Sequence, residues 1–168
     1  MLGARFARKV WSFEPEPENV ALLRRSVQLN GFQNVVIHDT AVTDHAGQAD
    51  LFLSRKSAGR HSLFPHTGVE TLRVECNTLD ALLPIETIDL LKVDVEGSEP
   101  EVLAGARKLI TERRIKHVIT EWNPKAWENR LQLLHPFKIQ TVLRKPFDPK
   151  HPKGLLENNV LLEPRDSF

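Results

Sequence analysis

The sequence predicts one α/β domain, residues 1–168, built on a mostly parallel sheet with an antiparallel edge. Three observations predict it. Short β-prone apolar runs alternate with a helical apolar period along the first half, the pattern of parallel strands joined by crossover helices. Two β-prone runs close the chain without a helix between them, as an antiparallel edge does. The length of 168 residues, 40% of them hydrophobic, supports one buried core and would be cramped for two.

The elements follow in order. Leu2, Phe6 and Ala7 among Arg5, Arg8 and Lys9 read as the last turns of a helix, and Met1 is the only methionine. The expectation is an N-terminally truncated, partial domain whose beginning is missing. Val10-Trp11-Ser12-Phe13 is a strand stopped by Glu14-Pro15-Glu16-Pro17, because proline cannot donate to a ladder. Val20, Leu23 and Val27 mark the apolar face of a helix, Arg24 and Arg25 face away, and Asn30-Gly31 ends it. Residues 35–37 form a second strand parallel to the first.

From Gly47 the period changes to two. Ala49, Leu51 and Leu53, then Leu72, Val74 and Cys76, predict two half-exposed strands. The loop of residues 54–68 between them holds Arg55, Lys56, Gly59, Arg60, His61 and His66, and a loop of that length is a candidate for function. Residues 88–95 read as a central strand. A helix follows from Glu99, with Ser98 and Glu101 as a capping box and Val102, Leu103, Ala106, Leu109 and Ile110 as its apolar face. Residues 117–120 form a buried strand, 126–134 a helix, and 139–143 with 159–162 the antiparallel edge.

Composition excludes several functions. Lys and Arg number 23 against 22 Asp and Glu, a net charge of +1, and no block of five like charges occurs, which argues against nucleic-acid and anionic-membrane binding. The longest apolar run, residues 20–23, is too short for a membrane span or the core of a signal peptide. Cys76 is alone, so no intramolecular disulfide is expected and a reducing cytoplasm is the expected compartment. No histidine pair has metal-ligand spacing, and neither a Gly-x-Ser-x-Gly elbow nor a phosphate-binding Walker loop is present.

Chemistry is expected at the carboxyl ends of the strands, where open α/β sheets bind ligands. Glu14, Asp94, Glu96 and Glu121 all stand at such ends. Glu14 is suited to two vicinal ribose hydroxyls, or else to the favourable charge at the following helix N-terminus, worth about 0.3–1 kcal/mol. Lys92, Asp94 and Glu96 at i, i+2 and i+4 share one face of an extended strand. A polar cleft explains three ionisable groups there, because burying them unpaired is costly; a structural Lys92–Asp94 ion pair is the alternative. Gly97 permits a sharp turn. His61 and His66 are candidate general bases or solvated loop residues. Trp122 and Trp127 either line a ligand site or pack.

Taken together, Phe13-Glu14-Pro15-Glu16-Pro17-Glu18-Asn19, Leu29-Asn30-Gly31, Ala41-Val42 with Asp44 and Gly47, Thr78-Leu79-Asp80, the Ile-Asp-Leu-Leu-Lys-Val-Asp-Val-Glu-Gly-Ser-Glu block at 88–99 and Asn158-Asn159-Val160-Leu161 resemble the FkbM-type methyltransferases over nearly the whole chain. The resemblance implies a class I Rossmann-like fold. It implies S-adenosylmethionine as cofactor and O-methylation of a small-molecule hydroxyl acceptor, a sugar or a natural product. By position, Glu14 would hold the cofactor ribose, and Asp39, Ala41 and Val42 would border the adenine. Asp94 would lie near the methionine end and the acceptor, with Lys92 and Glu96 arranging that pocket and a carboxylate or histidine taking the hydroxyl proton. The 55–68 loop would help select the acceptor.

The family begins with a strand and an Asp-x-Gly-Ala-Asn-x-Gly turn that this sequence lacks. Its sheet order would put that strand between the one at Val10 and the one at Ile88. Poor binding of S-adenosylmethionine by the 168-residue chain is therefore expected. A non-catalytic Rossmann-like remnant or interaction module, and an NAD-binding domain, remain as rival readings, and the sequence is silent on oligomeric state.

Overall fold

The computed structural model describes residues 2–53, 61–63, 70–84, 86–142, 147, 149 and 159–165. A 3-10 turn, Leu2–Arg5, leads into β1 (Val10–Phe13), which pairs in parallel with β2 (Val35–His38), Val10 opposite Val35. Helix α1 (Pro17–Leu29) connects them. It starts where expected, because Pro17 suits the first turn and the Glu16 carboxylate accepts the Asn19 N–H at 2.6 Å. It ends at Gly31, whose φ of +66° turns the chain away.

A three-stranded sheet comes next, made of β3 (Ala41–Val42), β4 (Gly47–Leu53) and β5 (Glu70–Asn77) in the order β3-β5-β4. β5 is parallel to β3 and antiparallel to β4, so Cys76 lies opposite both Ala41 and Gly47. Strand alternation sends Leu51, Val74 and Cys76 inward, where they join Ala41 in a small separate core.

Helix α2 (Leu79–Leu82), β6 (Leu91–Val93), α3 (Glu99–Ala104), α4 (Arg107–Thr111), β7 (Val118–Glu121), α5 (Pro124–Trp127), a 3-10 turn at Leu131–Leu134, β8 (Phe137–Thr141) and β9 (Asn159–Pro164) complete the chain. The four strands run β6-β7-β9-β8, with β6 parallel to β7 and β9 antiparallel to both neighbours. The expected antiparallel edge is present. Leu103 and Leu109 pack with Val118, Trp127, Phe137 and Leu162, all within 1% of complete burial. Each such side chain contributes on the order of 2 kcal/mol.

Five expectations need correction. The described sheets are mixed, with β1–β2, β3–β5 and β6–β7 parallel and β4–β5, β7–β9 and β8–β9 antiparallel, because the middle of the chain forms a sheet of its own. The strand read over 88–95 shortens to β6 plus one bridge between Ile88 and Ile115. The helix read from Glu99 breaks at Gly105, which backs onto the Thr43 carbonyl, and the one read over 126–134 divides into α5 and the 3-10 turn. The Ser98–Glu101 capping box does not form. Ser98 makes no side-chain cap bond, and Glu101 pairs with Arg130 at 3.3 Å.

Among the described residues β1 is hydrogen-bonded only to β2, and β6 only to β7, so β6 is an edge and not a central strand. The Val10 and Glu14 amides donate to β2 and its flank, and the Leu91 amide donates to the His117 carbonyl. The intervening peptide groups at Trp11, Phe13 and Lys92 therefore face away from those partners. Yet Trp11 and Phe13 pack on the same core as Val93, and Lys9 reaches Glu86 at 3.9 Å. The two sheets share a core without sharing a ladder.

Candidate functional site

Glu14 stands at the carboxyl end of β1, fixed there by its own amide, which donates to the His38 carbonyl at 3.1 Å. Its Oε1 accepts the Glu16 N–H at 2.9 Å. That bond uses one lone pair of an ion that can accept about four. Beside it, Phe13 and His38 stack with ring centroids 4.9 Å apart.

The turn after β6 carries the densest chemistry. Lys92 and Asp94 do share a face, and Lys92 Nζ donates to Asp94 Oδ2 at 2.5 Å. Their side chains are 61% and 50% exposed, so this pair contributes at most about 1 kcal/mol. Glu96 does not follow the i, i+2, i+4 spacing, because the strand ends at Val93. Glu96 has φ +52° and Gly97 φ +107°, so the chain has turned sharply before the third carboxylate. Asp94 and Glu96 belong to one turn, not to one strand face.

Glu99 shapes that turn from inside. Its carboxylate is fully buried and accepts the Val95 amide at 3.2 Å and the Gly97 amide at 3.1 Å. Burial pushes its pKa up, opposed by those backbone donors and reinforced by the charge of Glu121. Ser62, buried in the β4–β5 connection, donates from Oγ to the Glu96 carbonyl at 2.7 Å. Neither residue was singled out by its sequence pattern. Glu99 carried a signal, since a carboxylate two residues past a glycine turn can fold back onto its amides; Ser62, inside a long loop, carried none.

At the end of β7, Trp122 stacks on Trp127 at 5.8 Å and meets Phe147 edge-on at 5.3 Å. Both tryptophans are buried, and the Trp127 indole N–H donates to the Glu121 carbonyl, which is the packing alternative. The residues expected near the adenine are dispersed. Arg24 donates to both oxygens of Asp39, at 2.8 and 2.6 Å. Ala41 is buried in the small core with its backbone paired to Cys76, while half-buried Val42 touches the main core. His61 is half-buried next to Ser62; Arg55, Lys56, Gly59, Arg60 and His66 lie outside the described residues.

Among the described residues no group of three or more His, Cys, Asp or Glu side chains could hold a metal ion, and no helix is long and apolar enough to cross a membrane.

Comparison with known proteins adds two findings. The sequence profile of the methyltransferase FkbM domain matches residues 5–145. The crystal structure of methyltransferase FkbM from Methylobacillus flagellatus KT superposes with a TM-score of 0.56 and 17% sequence identity, over 93% of this chain and 36% of that one. At that identity the likeness concerns the fold, and the chain spans little more than a third of the length of that protein. No curated protein matches the sequence.

Proposed function

Because the chain belongs to the methyltransferase FkbM domain family, matched over residues 5–145, we propose that it serves S-adenosylmethionine-dependent methylation of a hydroxyl oxygen on a sugar or natural-product-like small molecule. The observation that carries the proposal is the family match, which takes in both Glu14 and the whole 92–99 turn. The lone Cys76 fits a reducing, cytoplasmic setting.

The residues fit this cofactor in part. Glu14 has acceptor capacity left for a ribose diol at the end of β1. Asp39 would have to exchange its Arg24 partner before it could meet an adenine. No glycine-rich turn in this sequence offers amides to a methionine carboxylate. Among the described residues β1 and β6 each have one edge with no strand paired to it, and the family's sheet order puts the strand that leads into such a turn between them. S-adenosylmethionine, when bound, supplies a methyl group on a positively charged sulfur.

The chain's own part in the reaction is positioning and proton handling. Asp94, steadied by Lys92, accepts the acceptor's hydroxyl hydrogen and aligns the oxygen. Glu96 lines the mouth of the same turn. Calorimetric titration with S-adenosylhomocysteine tests the cofactor half of this reading. Millimolar rather than micromolar binding is expected, lost in Glu14→Gln; micromolar binding indifferent to that substitution would move the ribose site elsewhere. Methyl transfer from isotopically labelled S-adenosylmethionine to a panel of hydroxylated sugars tests the other half. Asp94→Asn should lower any transfer by roughly 100-fold, the usual scale of a lost general base.

A further inference from the structure

The peptide unit joining Glu96 to Gly97 is held at both ends. Its carbonyl accepts from Ser62 Oγ at 2.7 Å, and its N–H donates to both oxygens of Glu99, each at 3.1 Å. These two holds come from different parts of the chain. Glu99 opens α3, three residues beyond Glu96, whereas Ser62 belongs to the β4–β5 connection, 34 residues away. Ser62 is itself fixed. Its amide and carbonyl exchange hydrogen bonds with those of Phe52 in β4, at 3.2 and 2.8 Å, and it is 98% buried by the 2% exposure it keeps.

The clamped unit sits where the backbone is least at ease. Glu96, with φ +52°, occupies the left-handed region that side chains other than glycine resist, and Gly97 follows at φ +107°. Rotation of that one peptide plane would exchange the positions of its N–H and C=O. It would change ψ of Glu96 and φ of Gly97 together and break both holds, loosening the turn that carries Asp94 and Glu96 while Glu96 keeps its positive φ. A conformation of this kind persists only when its surroundings over-determine it. Here the determining contacts are one carboxylate and one hydroxyl.

We propose that Ser62 is a positioning residue, which locks the Glu96–Gly97 peptide plane and thereby sets the placement of the Asp94 and Glu96 carboxylates. Its meaning for methyl transfer rests on the function proposed above. The lock itself does not. It also ties the β4–β5 connection to the turn after β6, so that the three-stranded sheet has a direct hold on the candidate site.

Amide hydrogen exchange, resolved by NMR on the full chain, tests the lock without any activity. In Ser62→Ala the Gly97 and Val95 amides should exchange faster by on the order of fivefold, with Val118 and Leu162 unchanged, as for a local opening. Ser62→Thr, which keeps the hydroxyl, should return both to within about twofold of the wild type. The Asp94 and Glu96 carboxyl carbon resonances should move in the alanine variant and return in the threonine one. Should the alanine variant not fold, Ser62→Cys fills the same space with a weak donor and should loosen the same two amides. Gly97 exchange that stays at the wild-type rate in the alanine or cysteine variant would overturn the proposal. So would a rise shared equally by Val118 and Leu162, or a threonine variant as loose as the alanine one. Methyl transfer unchanged in the alanine variant, with exchange as expected, would count against the catalytic reading and leave the lock standing.

Discussion

A β-carbon added at Gly105 would stand 2.0 Å from the Thr43 carbonyl oxygen and 3.0 Å from its carbon, so neither backbone could stay where it is. This glycine is required for close approach and not for its dihedral angles. Gly105→Ala should cost about 1–3 kcal/mol, the usual range for overpacking, read from the midpoint of urea unfolding. Glu99 makes a second prediction through pH. Its pKa in the folded chain lies above the ordinary 4.5 because burial disfavours the charged form. The neutral carboxyl therefore contributes stability in full below 4.5, and that contribution is lost as pH rises through the elevated folded value. Glu99→Gln can still accept the two amides and has no charge to bury. The stability difference between variant and wild type should thus grow in favour of the glutamine as pH climbs from about 4 to about 7, measured by urea unfolding at each pH. A constant difference would mean that Glu99 titrates as it does in the unfolded chain.

Helix α4 is started by a residue of helix α2. Asp80 accepts the Lys108 amide at 2.8 Å through Oδ2 and the Leu109 amide at 2.9 Å through Oδ1, so one carboxylate satisfies two orphan donors and pins two short helices together. Asp80→Ala should cost roughly 1–2 kcal/mol and Asp80→Asn less, because asparagine keeps one acceptor oxygen. Thr78, which caps α2 through the Ala81 amide at 3.2 Å, should cost about 1 kcal/mol on change to alanine. Elements whose causes are local were legible in the sequence. Val10 to Phe13 stopped by prolines, α1 closed at Gly31, and the alternation of β4 and β5 all appear as read. What could not be read was set by contacts across the chain. The break at Gly105 depends on Thr43, the start of α4 on Asp80, and the turn at Glu96 on Ser62. The site was legible to the same extent: Lys92 beside Asp94 follows from strand alternation, while the place of Glu96 depends on where β6 ends.

At the scale of the molecule, the two ends of the chain are held unequally. α1 buries Val20 alone, with Leu22 and Leu29 exposed, and every residue of β1 is only half-buried. β7, by contrast, is hydrogen-bonded on both sides, and its Val118 and Thr120 are fully buried. Amides of β1 and β2 should therefore exchange well ahead of those of β7 and β9, by local opening rather than global unfolding. Equal protection would show that the shared core alone binds the halves into one cooperative unit. The tryptophans supply a way to watch this without a label. The chain has three and no tyrosine, so they dominate its fluorescence over the weakly emitting phenylalanines. Trp11 lies in β1 with the Lys9 ammonium 4.4 Å from its ring centre, whereas Trp122 and Trp127 are stacked within 9° of parallel at the far sheet. One chromophore reports on the loosely held end and an electronically coupled pair on the firm one, so two optical signals that part company on heating would time the separation of the halves directly.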